Sequence, residues 1–325
     1  MKKALTFALS ALLLAGCSQD DGVMNTTGEE VKMSFSVQTG DGAQTRAYGN
    51  GENIDQLVCA VYEKTGEDTY TFIKQEEGTQ QTEVATDFKY EPVLLKGHTY
   101  KVVFWAMDQE AGYNLGDPGL TNITFPTFIA ANADNMDVFT GHSEDATAGE
   151  AQPQTVKLSR PFGQLNFATT ADDIASVKSL VEAADDATLT TSVEVSAGVM
   201  TAYNALTQQG TYSTEAITFT PAAIPTPTEP ITVGNTEYVW LSTNFLKTEQ
   251  TVTCTLKLFV NDKEANSLTV NQVPVYANTR TNIYGRLMTG EIKYNVGLNK
   301  GFTTPDTDDT DIDPDNWPAS DNTGN

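Results

Sequence analysis

The residue whose type and position most directly imply chemistry is Cys17. It closes the stretch Leu14-Ala15-Gly16-Cys17, after Lys2, Lys3 and an apolar run from Ala4 to Leu14. A charged start, an apolar segment too short to span a bilayer and small residues before the cut describe an export signal. A cysteine at the cut adds lipid attachment, so Cys17 is read as a new N-terminus that carries a diacylglycerol, followed by polar Ser18-Gln19-Asp20-Asp21. A lipid on a folded domain makes a peripheral anchor, not a spanning segment. Residues 1–17 are thus the signal and residues 18–30 a polar tether. The competing reading is an ordinary secretory signal that contains a cysteine.

Other reactive groups are few. The two histidines, His98 and His142, each lie beside a glycine in a turn-like context. Neither stands at a catalytic spacing from a Ser, Cys or Asp, and surface roles are expected. The chain has no phosphate-cradling glycine loop, no HExxH and no nucleophile elbow. Carboxylate pairs such as Asp172-Asp173 and Asp185-Asp186 follow from composition in a chain with 43 acidic residues. The run Asp309-Thr310-Asp311-Ile312-Asp313-Pro314-Asp315 alternates carboxylates, but a calcium loop needs Gly sixth and Glu twelfth, where Pro314 and Ser320 stand. No catalytic residue, metal site or cofactor is expected. Cys59 and Cys254 sit in apolar alternations and read as buried thiols in preference to a disulfide.

A net charge of -24 argues against nucleic acid as a partner, because its phosphates demand a basic face. The charge is uneven: residues 302–325 carry seven aspartates and no Lys or Arg. Such a segment cannot bury enough to offset its ordering entropy, so 301–325 reads as a disordered acidic tail.

The elements that must carry any site are strands. Val31, Met33, Phe35 and Val37 fall on one face at a period of two, which predicts a half-buried strand over 31–38. A Gly-rich loop, Gly40 to Gly49, follows with Arg46 and Ala47 at its centre, the kind of exposed tip where proteases cut. Further strands are expected at Ile54–Tyr62, Thr69–Lys74, Thr99–Met107 and Val156–Leu158, with Lys96-Gly97-His98 turning into the third. A second domain is expected from Arg160, with strands at Thr188–Val195, Ala216–Phe219, Glu237–Leu241, Thr251–Val260, Ser267–Val270, Thr281–Met288 and Glu291–Leu298. One helix is predicted over Asp172–Ala184, with Ile174, Val177, Leu180 and Val181 on its apolar face. Pro221–Pro230, with four prolines, reads as an extended connector. The expected domains are 31–159 and 160–300.

The signal with its cysteine, the amphipathic strand, the isolated Thr45-Arg46-Ala47 and the tandem β-rich halves together resemble a fimbrillin, the subunit class of type V pili. Gly97-His98-Thr99-Tyr100-Lys101-Val102-Val103-Phe104-Trp105-Ala106, Arg160-Pro161-Phe162-Gly163-Gln164-Leu165-Asn166 and Asn278-Thr279-Arg280-Thr281-Asn282-Ile283-Tyr284-Gly285-Arg286-Leu287-Met288-Thr289 are similar to fimbrillin-like segments. The resemblance implies an all-β fold of two tandem Greek-key, transthyretin-like sandwiches with at most one short helix. It implies a lipoprotein of the outer membrane and cell surface, joined to other fimbrial subunits. An Arg-specific protease would cut after Arg46 and remove the strand of Val31, Met33, Phe35 and Val37, and a neighbour's strand would fill the gap. Stalk members donate from the C-terminus, whereas the last 24 residues here are acidic and barely apolar. Ile292, Tyr294, Val296 and Leu298 alternate and suit either a donor strand or the last strand of the second sandwich. The runner-up is an uncut, permanently anchored lipoprotein, a pilus anchor or a binder of a glycan or host protein.

Overall fold

The computed structural model of the chain describes residues 28–39, 53–81, 87–116, 118–126, 136–182, 187–224, 231–233, 235–289 and 295–300. Cys17, Arg46, Ala47, Ile292, Tyr294 and the acidic tail lie outside the described residues.

In chain order the N-terminal half forms β1 (Glu30–Lys32), β2 (Phe35–Thr39), β3 (Gln56–Lys64), β4 (Tyr70–Glu77), β5 (Thr79–Gln80), β6 (Asp87–Tyr90), β7 (Val93–Leu95), β8 (Thr99–Met107), β9 (Ile123–Thr124), β10 (Val138–His142), β11 (Ala146–Thr147) and β12 (Gln154–Leu158). The C-terminal half forms β13 (Gly163–Thr169), α1 (Ala171–Leu180), β14 (Leu189–Val195), β15 (Met200–Asn204), β16 (Gln209–Tyr212), β17 (Ile217–Thr218), β18 (Ala222–Ala223), β19 (Ile231–Val233), β20 (Thr236–Leu246), β21 (Val252–Val260), β22 (Lys263–Val273), β23 (Thr279–Gly285) and β24 (Asn295–Lys300).

Two sheets enclose the first core. One runs β10-β8-β3-β4 with β11 on β8, and the other runs β12-β2-β6-β5. Between them lie Phe35, Val37, Leu57, Cys59, Val61, Phe88, Val102, Phe104, Phe139 and Leu158. The second half pairs β19-β20-β13-β23-β24 with β17-β14-β21-β22 around Leu165, Phe167, Val193, Leu241, Leu256, Leu258 and Ile283. The all-β sandwich expectation holds.

The near-continuous apolar runs of β3 and β8 have a specific cause. Leu57, Cys59 and Val61 face the first core, while Val58, Ala60 and Tyr62 face a third cluster at the junction of the two halves. Trp105, Tyr113, Ile123, Phe162, Met200 and Tyr203 complete that junction. A strand buried on both faces loses the alternation that a half-buried strand shows. The junction also shares a ladder, since β9 pairs with β15. Across it Asp137 accepts two bonds from Arg160, at 2.6 and 2.7 Å, with both side chains buried.

Several expectations are corrected. The single strand predicted over 31–38 is two: β1 pairs with β7 and β2 with β6, and the break at Met33-Ser34 faces Glu91-Pro92. Pro92 cannot donate to a ladder, and its carbonyl instead accepts from Met33 N at 3.0 Å. The helix starts earlier and ends sooner than predicted: Thr170 caps it by accepting from Asp173 N, and Glu182 already has φ of 51°. Leu180, expected on its buried face, is 75% exposed. The connector of four prolines contains β18, which pairs with β14. His142 ends β10 rather than standing in a turn. Cys59 and Cys254 are free and buried, and burial pushes the Cys254 thiol up to about 12.

Candidate functional site

The segment Val31 to Thr39 is the strongest candidate because of where the sheet places it. β2 is an inner strand, hydrogen-bonded on both sides. On one side it runs parallel to β12, with Phe35 opposite Gln154 and Val37 opposite Val156. On the other it runs antiparallel to β6, with Phe35 opposite Tyr90 and Val37 opposite Phe88. Met33, Phe35 and Val37 point inward and are 6%, 1% and 0% exposed, so the period-two pattern is satisfied side chain by side chain.

The inward side chains bind the two sheets together. Phe35 stacks on Tyr90 at 6.3 Å and meets Phe104 of the facing sheet edge-on at 5.9 Å. Val31, partly buried, packs against the same core. Full burial of each such side chain contributes about 1.5–3 kcal/mol in gross terms. Aromatic pairs add about 0.5–1.5 kcal/mol beyond their area.

The walls of this lane have their own support. Ser159, just after β12, exchanges two backbone bonds with Thr140 of β10, at 2.8 and 3.0 Å. β6 is paired on its far side with β5. Removing β2 would therefore leave two walls in place, with unpaired backbone groups on each and an apolar floor of Phe88, Tyr90 and Phe104.

At the entrance stands an ionic cluster. Glu91 accepts from Lys32 at 2.8 Å and forms an ion pair with Lys89 at 2.7 Å. The Lys32 contact, and then that of Lys89, hold the Glu91 carboxyl down at about 2. Lys32, Glu76, Thr79, Lys89, Tyr90 and Glu91 line a polar cavity of about 660 Å³. One of its walls, Lys32, belongs to the segment that occupies the lane. Tyr90 donates to Glu76 at 2.7 Å, and burial, with that carboxylate next, raises its hydroxyl pKa.

The remaining sequence candidates are dispersed. His98 Nδ1 lies 2.7 Å from Glu63, and His142 Nδ1 contacts the Ser143 carbonyl at 3.1 Å. Val296 and Leu298 lie in β24, which pairs antiparallel with β23 at the edge of its sheet. Among the described residues there is no cluster of three or more metal-ligating side chains and no helix long and apolar enough to cross a membrane. Sequence reading missed β6 and Glu91. The alternation Asp87-Phe88-Lys89-Tyr90 was the available signal, only four residues long.

Fold and lane together define an all-β sandwich protein in which β2, near the N-terminus, is an inner strand of its sheet. The chain belongs to a family of unknown function (DUF6562), whose model matches residues 25–315. No curated protein matches it. Solved structures similar to it include a candidate cell adhesion protein from Bacteroides ovatus, at 14% identity and TM-score 0.48, covering 83% of this chain and 97% of that one. A fimbrial assembly protein from Parabacteroides distasonis shows 14% identity and TM-score 0.43, covering 84% and 97%. A candidate adhesin from Bacteroides thetaiotaomicron shows 12% identity and TM-score 0.48, covering 85% and 98%.

Proposed function

We propose that this chain is a structural or accessory subunit of a cell-surface fibre of the fimbrillin type. It is exported as a lipoprotein on Cys17, and its own N-terminal strands shield the lane until the chain is cut after Arg46. A strand from another subunit then enters. The observation that carries this reading is that β2 is an inner strand whose removal leaves a two-walled lane.

The energetics favour refilling. An emptied lane exposes apolar surface and two open ladders, each a template for another strand. Three fully buried side chains give a gross stabilisation of roughly 5–9 kcal/mol, against which the ordering and association costs of the incoming strand are set. Cleavage after Arg46 would also separate the folded domains from the lipid.

The alternative is an anchor or surface-binding lipoprotein that keeps its N-terminal strands. Intact-mass analysis of protein extracted from the cell surface separates the two. A species beginning at Ala47 is expected; only lipidated species beginning at Cys17 would overturn the subunit reading.

A further inference from the structure

The segment that fills the lane has a second version in the same chain. Glu30-Val31-Lys32-Met33-Ser34-Phe35-Ser36-Val37-Gln38 and Glu291-Ile292-Lys293-Tyr294-Asn295-Val296-Gly297-Leu298-Asn299 correspond over nine positions. Each opens on Glu, a β-branched aliphatic and Lys. Each then alternates apolar residues with small polar residues or glycine and ends on an amide. The match stops at the tenth position, Thr39 against Lys300.

Lys32 is the informative position, because it points away from the core. It lies opposite Val93 in the ladder and reaches Glu91, which also holds Lys89. Lys89 stays with β6 whichever strand occupies the lane, so the second lysine must come from the occupant. A strand shifted by one residue would turn its apolar set outward and would also withdraw its lysine from Glu91.

We propose that Glu91 sets the register of the strand that refills the lane and selects for a lysine there, and that residues 291–299 of a second copy of this chain satisfy it through Lys293. This rests on the strand-exchange reading above. In that register Tyr294, Val296 and Leu298 take the places of Met33, Phe35 and Val37. The exchange is larger at the outer positions and smaller at the central one, a change that cores accommodate when total volume is kept.

The donor's present position is consistent with release. Among the described residues β24 pairs on one side, with β23, whereas the lane offers ladders on both sides. The chain before it is pinned: buried Asp173 accepts from Met288 N at 2.8 Å and Thr289 N at 2.9 Å. Movement beginning after Thr289 would leave those bonds intact and open one edge of β23. Copies with a net charge of -24 repel each other, so a lysine aimed at a carboxylate also supplies local complementarity.

The test uses the full chain cut after Arg46 and challenged with synthetic peptides, reading displacement of the N-terminal piece by mass. Peptide 290–299 is expected to enter the lane, and its K293E form to need roughly 3–10-fold more peptide at low salt. A chain carrying E91K is expected to reverse that order. A peptide with N299C is expected to cross-link to a chain with D87C, the residue now opposite Gln38. Equal potency of the two peptides on the unmodified chain, or cross-linking one residue out of register, would overturn the proposal without any need for the E91K chain to fold. If peptide 30–39 exchanges into the cut chain but peptide 290–299 does not, the proposal fails and strand exchange stands. If neither enters, both fail.

Discussion

Phe35, on the inner strand β2, meets Phe104 of the facing sheet with ring centroids 5.9 Å apart and planes at 61°. This contact ties the N-terminal segment to the opposite layer of the sandwich, so the segment's loss is felt across the whole first core. It also makes Phe35 the most sensitive reporter of whether the segment is in place.

Phe35→Ala should destabilise the uncut chain by about 3–5 kcal/mol, the range for emptying a buried aromatic site. Phe35→Asp should cost more, because an unpaired charge would face Phe104 and Tyr90. Thermal unfolding of the uncut chain reads this directly. A chain cut after Arg46 whose lane has been refilled by another strand should melt identically with or without the substitution. Equal shifts in both forms would show that β2 is not the exchanged element.

The Asp137–Arg160 pair should matter in a different way. Both groups are buried, and Arg160 also lies over the Phe139 ring at 4.2 Å. Asp137→Ala leaves a buried guanidinium without its carboxylate, so a loss of about 3–5 kcal/mol is expected in urea unfolding. Replacing both residues with apolar ones of similar volume should cost less than that single change.

Glu91 gives a pH signature. Its folded-state carboxyl is held at about 2, below the ordinary value of 4.5, so its contribution is present above about pH 4.5 and is lost as pH falls towards 2. Retention of the N-terminal piece by the cut chain should therefore weaken across that window. Glu91→Gln should remove this component, leaving a flatter curve. Identical curves for the two chains would show that the cluster does not hold the strand.

Gly163 opens β13 where a side chain has no room. An added Cβ would stand 2.1 Å from the Tyr276 carbonyl oxygen and 2.8 Å from that of Thr279. These are backbone atoms, so Gly163→Ala should force β13 and the turn before β23 apart, at a cost of about 1–3 kcal/mol in unfolding measurements.

Much of this molecule was legible from its sequence, and unevenly so. β8 was placed residue for residue, because an aromatic and β-branched run after Lys96-Gly97-His98 has one sensible reading, and Gly97 does turn with φ of 81°. The face of Val31, Met33, Phe35 and Val37 was legible from its period. Its inner position was not, because pairing with β6 and β12 depends on residues about 50 and about 120 positions away, respectively. Glu91 was invisible for the same reason: one glutamate among 43 acidic residues gains meaning only when Lys32 and Lys89 are brought to it. The burial of β3 on both faces likewise required the second half of the chain. Leu180 shows the converse, an apolar residue at helical spacing that the short α1 leaves in solvent.

Under the proposed function the N-terminal strands hold the lane closed and cutting releases it. Size-exclusion chromatography with light scattering, applied to the purified chain before and after cleavage at Arg46, tests this most directly. A monomer is expected before cleavage, and after it growing assemblies from which the N-terminal piece has been lost. An uncut chain that assembles equally well, or a cut chain that stays monomeric with the piece retained at assembly concentrations, would contradict it.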